Sequence, residues 1–168
     1  MKIEDADFQK RIKAAAERKK AINDVKLSVL EGHALMEEAL DTFIEASLFH
    51  SDHFYKVNPN FRSKGHLAWS LGYKQDKDTI WYLIWAITEL RNTIAHKLDA
   101  DAIDGKLKHV RMSYIRLLGP AAAKVAETQT DKFIAEVACQ VCAGFLAALA
   151  DDAKARRRII DQHWKGRA

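Results

Sequence analysis

Apolar residues recur along this chain at three- and four-residue steps, and no stretch sustains an alternation of apolar and polar positions. The first such series is Ile22, Val25, Val29, His33, Met36, Leu40, Phe43 and Ser47. At about 100° per residue these fall on one stripe of a helix, predicted over about 6–49, with Glu37 and Asp41 at the edge of the stripe. The segment 51–60 holds Pro59 and three Asn or Asp residues and reads as a loop. A short helix follows over about 61–71, with Gly72 as its stop. The next helix runs over about 78–98, capped by Asp76 or Asp78. Asp101 opens another that ends near Gly119 and Pro120, and Pro120 suits the first turn of a last long helix over about 120–164. The pattern predicts an all-α fold: one domain over 1–168, an up-and-down bundle of four to five helices without a sheet.

Composition adds that the connections are few. The 168 residues include seven Gly and two Pro, against about twelve and eight at average usage. The net charge of +4 is compatible with a polyanionic partner. Cys139 and Cys142 are the two cysteines, so no disulfide framework is expected and a reducing, cytoplasmic setting is. The segment 2–26 is charged and has no apolar centre, which predicts no secretory signal. The longest apolar run, 137–150, is interrupted by Gln140 and falls short of the ~20 residues a bilayer needs, so no membrane association is expected.

The helix over 78–98 has two distinct faces. Ile80, Leu83, Ile84, Ile87, Leu90, Ile94 and Leu98 form a wide apolar stripe, and Arg91 lies within it by angle. A buried arginine needs a partner, and Glu37 and Asp41 on the first helix are the candidates. The other side carries Trp81, Tyr82, Trp85, Glu89, Asn92 and His96. Mixed aromatic and polar groups suit an interface or a nucleic-acid surface, and the two tryptophans predict a homodimer contact.

Arg91, Asn92 and His96 also suit phosphodiester chemistry. A histidine moves protons near neutral pH, an arginine holds phosphate and stabilises developing negative charge, and an asparagine orients either one. Asn92 and His96, four residues apart, stack on one side of the helix. The bland alternative is a bundle ion pair and a surface histidine.

The run Leu90-Arg91-Asn92-Thr93-Ile94-Ala95-His96 resembles the Arg-x4–6-His motif of HEPN domains. The order of the surrounding segments is similar to the branch that includes the mannitol operon repressor family: Glu37-Glu38-Ala39-Leu40-Asp41 on a first long helix, then Phe61 to Gly72, then the motif at the end of the next helix. The resemblance covers about 25–118. It implies a helical bundle that dimerises, with two Arg and His sets forming one cleft, and a metal-independent endoribonuclease of toxin or phage-defence type. It assigns Arg91 to stabilising the phosphorane, His96 to acid–base work and Asn92 to their support. No cofactor or metal is implied; RNA and an antitoxin or regulatory protein are the implied partners. The repressor-like members imply the alternative, a non-catalytic regulator. Leu98 stands where nucleotidyltransferase-regulated toxins carry a tyrosine, which argues against that form of control.

Weaker signals remain. Cys139 and Cys142 read as two small core residues, because no second pair completes a zinc set. His50 and His53 read as an exposed loop-end pair, and His33 as a hydrogen-bonded core histidine or an addition to the cleft. Lys154, Arg156, Arg157 and Arg158 read as a solvated basic face or a nucleic-acid surface.

Overall fold

The computed structural model describes residues 3–72, 79–96 and 100–165. It is an all-α bundle, and the described residues form helices α1 (Ile3–Ser47), α2 (Ser51–Tyr55), α3 (Phe61–Leu71), α4 (Thr79–His96), α5 (Ala100–Ile115), α6 (Pro120–Glu127) and α7 (Asp131–Lys165). The apolar stripe of α1 is the core face: Val25, Val29, Met36, Leu40 and Phe43 are buried, and so is His33. Each such apolar side chain stabilises the fold by about 1.5–3 kcal/mol.

The longest contact is between α1 and α7. Ser28 Oγ donates to Glu136 Oε1 at 2.8 Å, and Arg157 Nη1 donates to the Leu48 carbonyl at 3.1 Å, so the two helices run in the same direction. Gly32 permits their close approach, because a Cβ there would lie 2.5 Å from Cys139 Cβ. Cys139 and Cys142 are buried in this seam, and burial pushes the Cys139 thiol up to about 12. By length and composition α7 is apolar enough to cross a membrane, but 44% of its most apolar window is buried inside the bundle, as in a core helix. The run 137–150 alone is shorter than the ~20 residues a bilayer needs, and the rest of α7 supplies the length. Toward its N-terminus, α1 leaves the bundle: its described side chains from Phe8 to Asp24 are all exposed.

Two elements differ from the sequence pattern. The expected loop over 51–60 begins with a one-turn helix, α2, and turns at Asn58, whose φ of 49° is one that asparagine tolerates. The expected last helix is two, broken at 128–130. Thr130 Oγ1 accepts from Phe133 N at 3.2 Å and starts α7, while Arg111 on α5 donates to the Ala126 and Gln129 carbonyls and to Asp131. Arg111 thereby ties the end of α6 and the break after it to the start of α7. Gly72 ends α3 as expected, in an extended conformation and not a left-handed one. The expected caps Asp76 and Asp78, and Leu98, lie outside the described residues.

Candidate functional site

Helix α3 builds the site by lying across α1 and α4. Asn60 starts it, its Oδ1 accepting from Ser63 N at 2.9 Å. One turn on, Lys64 reaches down to α1, where its Nζ lies 3.1 Å from Glu37 and 2.9 Å from Asp41. Tyr55 OH donates to the same Asp41 at 2.7 Å. Burial pulls the Lys64 pKa down, but the two carboxylates outweigh it and the net shift is upward. Burial and the Asp41 hydrogen bond also raise that of Tyr55.

This arrangement corrects the expected pairing of Arg91. Lys64 occupies both carboxylates that Arg91 was expected to use. Among the described residues, Arg91 bonds only its neighbour, Asn92 Oδ1, at 3.4 Å. The angle placed Arg91 on the core stripe correctly, but it is half-buried at the end of that stripe and faces open space.

The expected Trp81 and Trp85 interface also needs correction. Helix α4 is buried on nearly every side, as befits a helix apolar all round. Trp81 is 4% exposed. It stacks on Trp69 at 5.6 Å between ring centroids and meets Phe145 edge-on at 5.7 Å. Trp85 is half-buried beneath α3, with the His66 ring 4.9 Å away. Gly65 allows this, because a Cβ there would collide with the Trp85 indole. Helix α3 covers Trp81 and much of Trp85, so these two leave no broad apolar patch requiring a second copy. The free face of α4 carries instead Tyr82, Glu89, Asn92 and His96, all exposed.

Between α1, the start of α3 and α4 lies a cleft of about 460 Å³. Its walls are His33 and Glu37 from α1, Asn60, Phe61 and Arg62 from α3, and Trp85, Thr88, Glu89, Arg91 and Asn92 from α4. The volume is that of an ordinary ligand pocket, about 300–1,000 Å³. Both carboxylates in it are already held: Glu37 by Lys64, and Glu89 by Lys106, whose Nζ donates at 2.7 Å and lowers the Glu89 pKa. Neither guanidinium in it, Arg62 nor Arg91, has a carboxylate within ion-pair distance among the described residues. The cleft therefore offers cationic donors to an anion.

His33 is buried in the wall of this cleft. Desolvation, reinforced by the Arg91 guanidinium and opposed by Glu37, lowers its pKa from 6.5 to about 4. Its ring lies 4.3 Å from that of Phe61, and its Nε2 has no hydrogen-bond partner among the described residues. It is a core histidine, as its stripe position implied, but without the expected hydrogen bond.

Of the motif residues, the cleft brings together Arg91 and Asn92. His96 lies in the last turn of α4, exposed and outside the cleft walls. The basic cluster of α7 is elsewhere. Arg157 is used structurally, bonding Leu48 O and Asp161 and covering the Phe49 ring at 4.0 Å. Lys154 stands 3.6 Å from Asp151, and Arg158 is exposed. None of Lys154, Arg156, Arg157 and Arg158 lines the cleft. His50 and His53 lie 6.2 Å apart between ring centroids and are exposed. Among the described residues no three His, Cys, Asp or Glu side chains gather as a metal-binding set. Sequence reasoning missed Arg62 and Lys64; the signal was present in Arg62-Ser63-Lys64, but short helices ordinarily leave such residues in solvent.

No family model, curated protein or solved structure matches the chain.

Proposed function

We propose that the chain is a metal-independent endoribonuclease resembling HEPN domains, of toxin or phage-defence type and acting in the cytoplasm. The observation that carries this reading is the pair of guanidinium groups, Arg62 and Arg91, lining one open cleft without ion-pair partners among the described residues while lysines hold its carboxylates. A polyanion is the ligand that such a cleft favours, and Arg91 and Asn92 belong to the Arg-x4-His run. In the reaction the ribose 2′-hydroxyl attacks phosphorus and the 5′-oxygen leaves, giving a 2′,3′-cyclic phosphate and a 5′-hydroxyl. Arg91 stabilises the phosphorane charge. His96 accepts the 2′-hydroxyl proton in one protomer and supplies the leaving-group proton in the other, which calls for a homodimer. The exposed face of α4 with Tyr82, Asn92 and His96 is the surface for that contact, in place of Trp81 and Trp85.

The position of His96 outside the cleft walls favours a second reading, a non-catalytic regulator resembling the mannitol operon repressor group, which binds through the same cleft. Incubation with single-stranded RNA in excess EDTA separates the two. The first reading expects cleavage that His96→Ala lowers by ~10²–10⁴-fold. Equal cleavage by wild type and His96→Ala assigns the activity elsewhere, and no cleavage of any RNA by an intact dimer favours the regulator. An antitoxin or regulatory protein partner belongs to either reading.

A further inference from the structure

His33 lies among apolar neighbours on its stripe: Val25, Val29, Met36, Leu40 and Phe43 are all buried there. The imidazole is itself only 4% exposed, and its Nε2 has no partner among the described residues. A buried polar atom left unpaired destabilises the folded state, so its presence asks for an explanation. The ring stands at the wall of the cleft that also holds Arg62 and Arg91. On the cleft side its neighbour is Phe61, with the ring centroids 4.3 Å apart.

The cleft walls divide into two kinds. Arg62 and Arg91 supply cations, whereas Phe61 and Trp85 supply aromatic surface. Two amides add donors: Asn60 uses its Oδ1 on Ser63 N, and Asn92 its Oδ1 on Arg91, which leaves the NH₂ group of each to donate. Cation, aromatic surface and hydrogen-bonding edge together match one nucleotide.

We propose that this cleft is a single-nucleotide subsite, with phosphate on Arg62 and Arg91, the base against Phe61 and Trp85, and His33 as the specificity-determining residue that hydrogen-bonds the nucleoside. The proposal rests on reading Arg91 as a phosphate-binding group. A proton on His33 would sit beside the Arg91 guanidinium in a desolvated site, so the ring stays neutral. A neutral imidazole has one donor and one acceptor, which lets it read a base edge or a ribose hydroxyl. The nucleotide is either free or a unit of a single-stranded RNA chain.

The test is calorimetric titration near neutral pH with inorganic phosphate, adenosine monophosphate and a single-stranded adenosine hexamer, together with ¹⁵N spectra of the His33 ring. A nucleoside-containing ligand is expected to bind at least about tenfold more tightly than phosphate, and His33→Phe to lose about tenfold for it while keeping phosphate affinity. The ring nitrogens of His33 in the wild type should shift with that ligand and not with phosphate, a readout that stands even if His33→Phe does not fold. A response to the monophosphate indicates free nucleotide; a response to the hexamer alone indicates RNA. Saturation by both with unmoved His33 nitrogens, or affinities equal to that of phosphate, overturns the proposal. Nucleotide binding without RNA cleavage keeps the subsite and removes the ribonuclease reading. Cleavage with unmoved His33 nitrogens does the reverse.

Discussion

Lys64 Nζ stands 2.9 Å from the Asp41 carboxylate, and this one contact decides what Arg91 is free to do. With Glu37 held by the same amine, the cation on the core stripe of α4 is left facing a cleft.

The two cations should therefore differ in their effect on stability. Removing one partner from a fully buried pair costs ~3–5 kcal/mol, but Glu37 and Asp41 keep 41% and 31% of their side chains exposed, which screens the loss. Lys64→Ala is expected to destabilise by about 2 kcal/mol in urea unfolding, and Arg91→Ala by less than about 0.5 kcal/mol. The opposite order would mean that Arg91 is the structural member.

Acid should unfold the protein partly through His33. Its folded pKa of about 4 lies below the unfolded 6.5, so between these values the unfolded chain binds the proton more readily. Stability from keeping the ring neutral is complete above about 6.5 and falls as pH drops toward 4, by up to about 3 kcal/mol. Glu37 on α1, Arg62 and Lys64 on α3 and Arg91 on α4 place their charges around the same region. The measurement is thus the difference between wild type and His33→Phe in chemical melts from about pH 8 to 4. Parallel curves for the two proteins would show that His33 does not titrate in this window.

Two glycines give opposite expectations for one substitution. Gly65→Ala forces a methyl into the Trp85 indole, which His66 and Trp81 already confine, and is expected to destabilise by about 1–3 kcal/mol. Gly144→Ala meets nothing within 4 Å on an α7 helix and is expected to stabilise by about 0.5–1 kcal/mol. Thermal melts of both read the sign directly.

Salt titration tests the cationic cleft apart from any chemistry. For a single strand the logarithm of affinity falls with that of salt by about 0.7 per phosphate neutralised. Arg62→Gln and Arg91→Gln should each flatten the slope by about that amount, while Arg158→Gln, on the far basic cluster, leaves it unchanged. A slope altered only by Arg158→Gln would move the RNA surface to α7.

The periodicity of the chain revealed the helices because packing and sequence share one period. The α1 stripe and most core residues of α4 were legible that way, while Pro59 and Gly72 bracketed α3. The burial of Trp81 was not, because a helix enclosed on all sides has no solvent face to read, and its cover, α3, is too short to advertise itself. The break at 128–130 escaped notice because Thr130 and Arg111 make it, and Arg111 acts from twenty positions away in sequence. The motif drew attention to Arg91 and Asn92, which border one cleft within the chain. It could not show that a lysine from α3 would take Glu37 and Asp41.

The exposed start of α1 has a consequence for dynamics. From Val25 onward the helix is held by tertiary packing, whereas the described side chains from Phe8 to Asp24 are exposed and lend its backbone hydrogen bonds little cover. An isolated helix of that length is marginal in water. One continuous helix therefore contains two opening regimes, one tied to global unfolding and one local. Amide hydrogen exchange along α1 is expected to slow abruptly near Val25, marking on the time axis where the bundle begins.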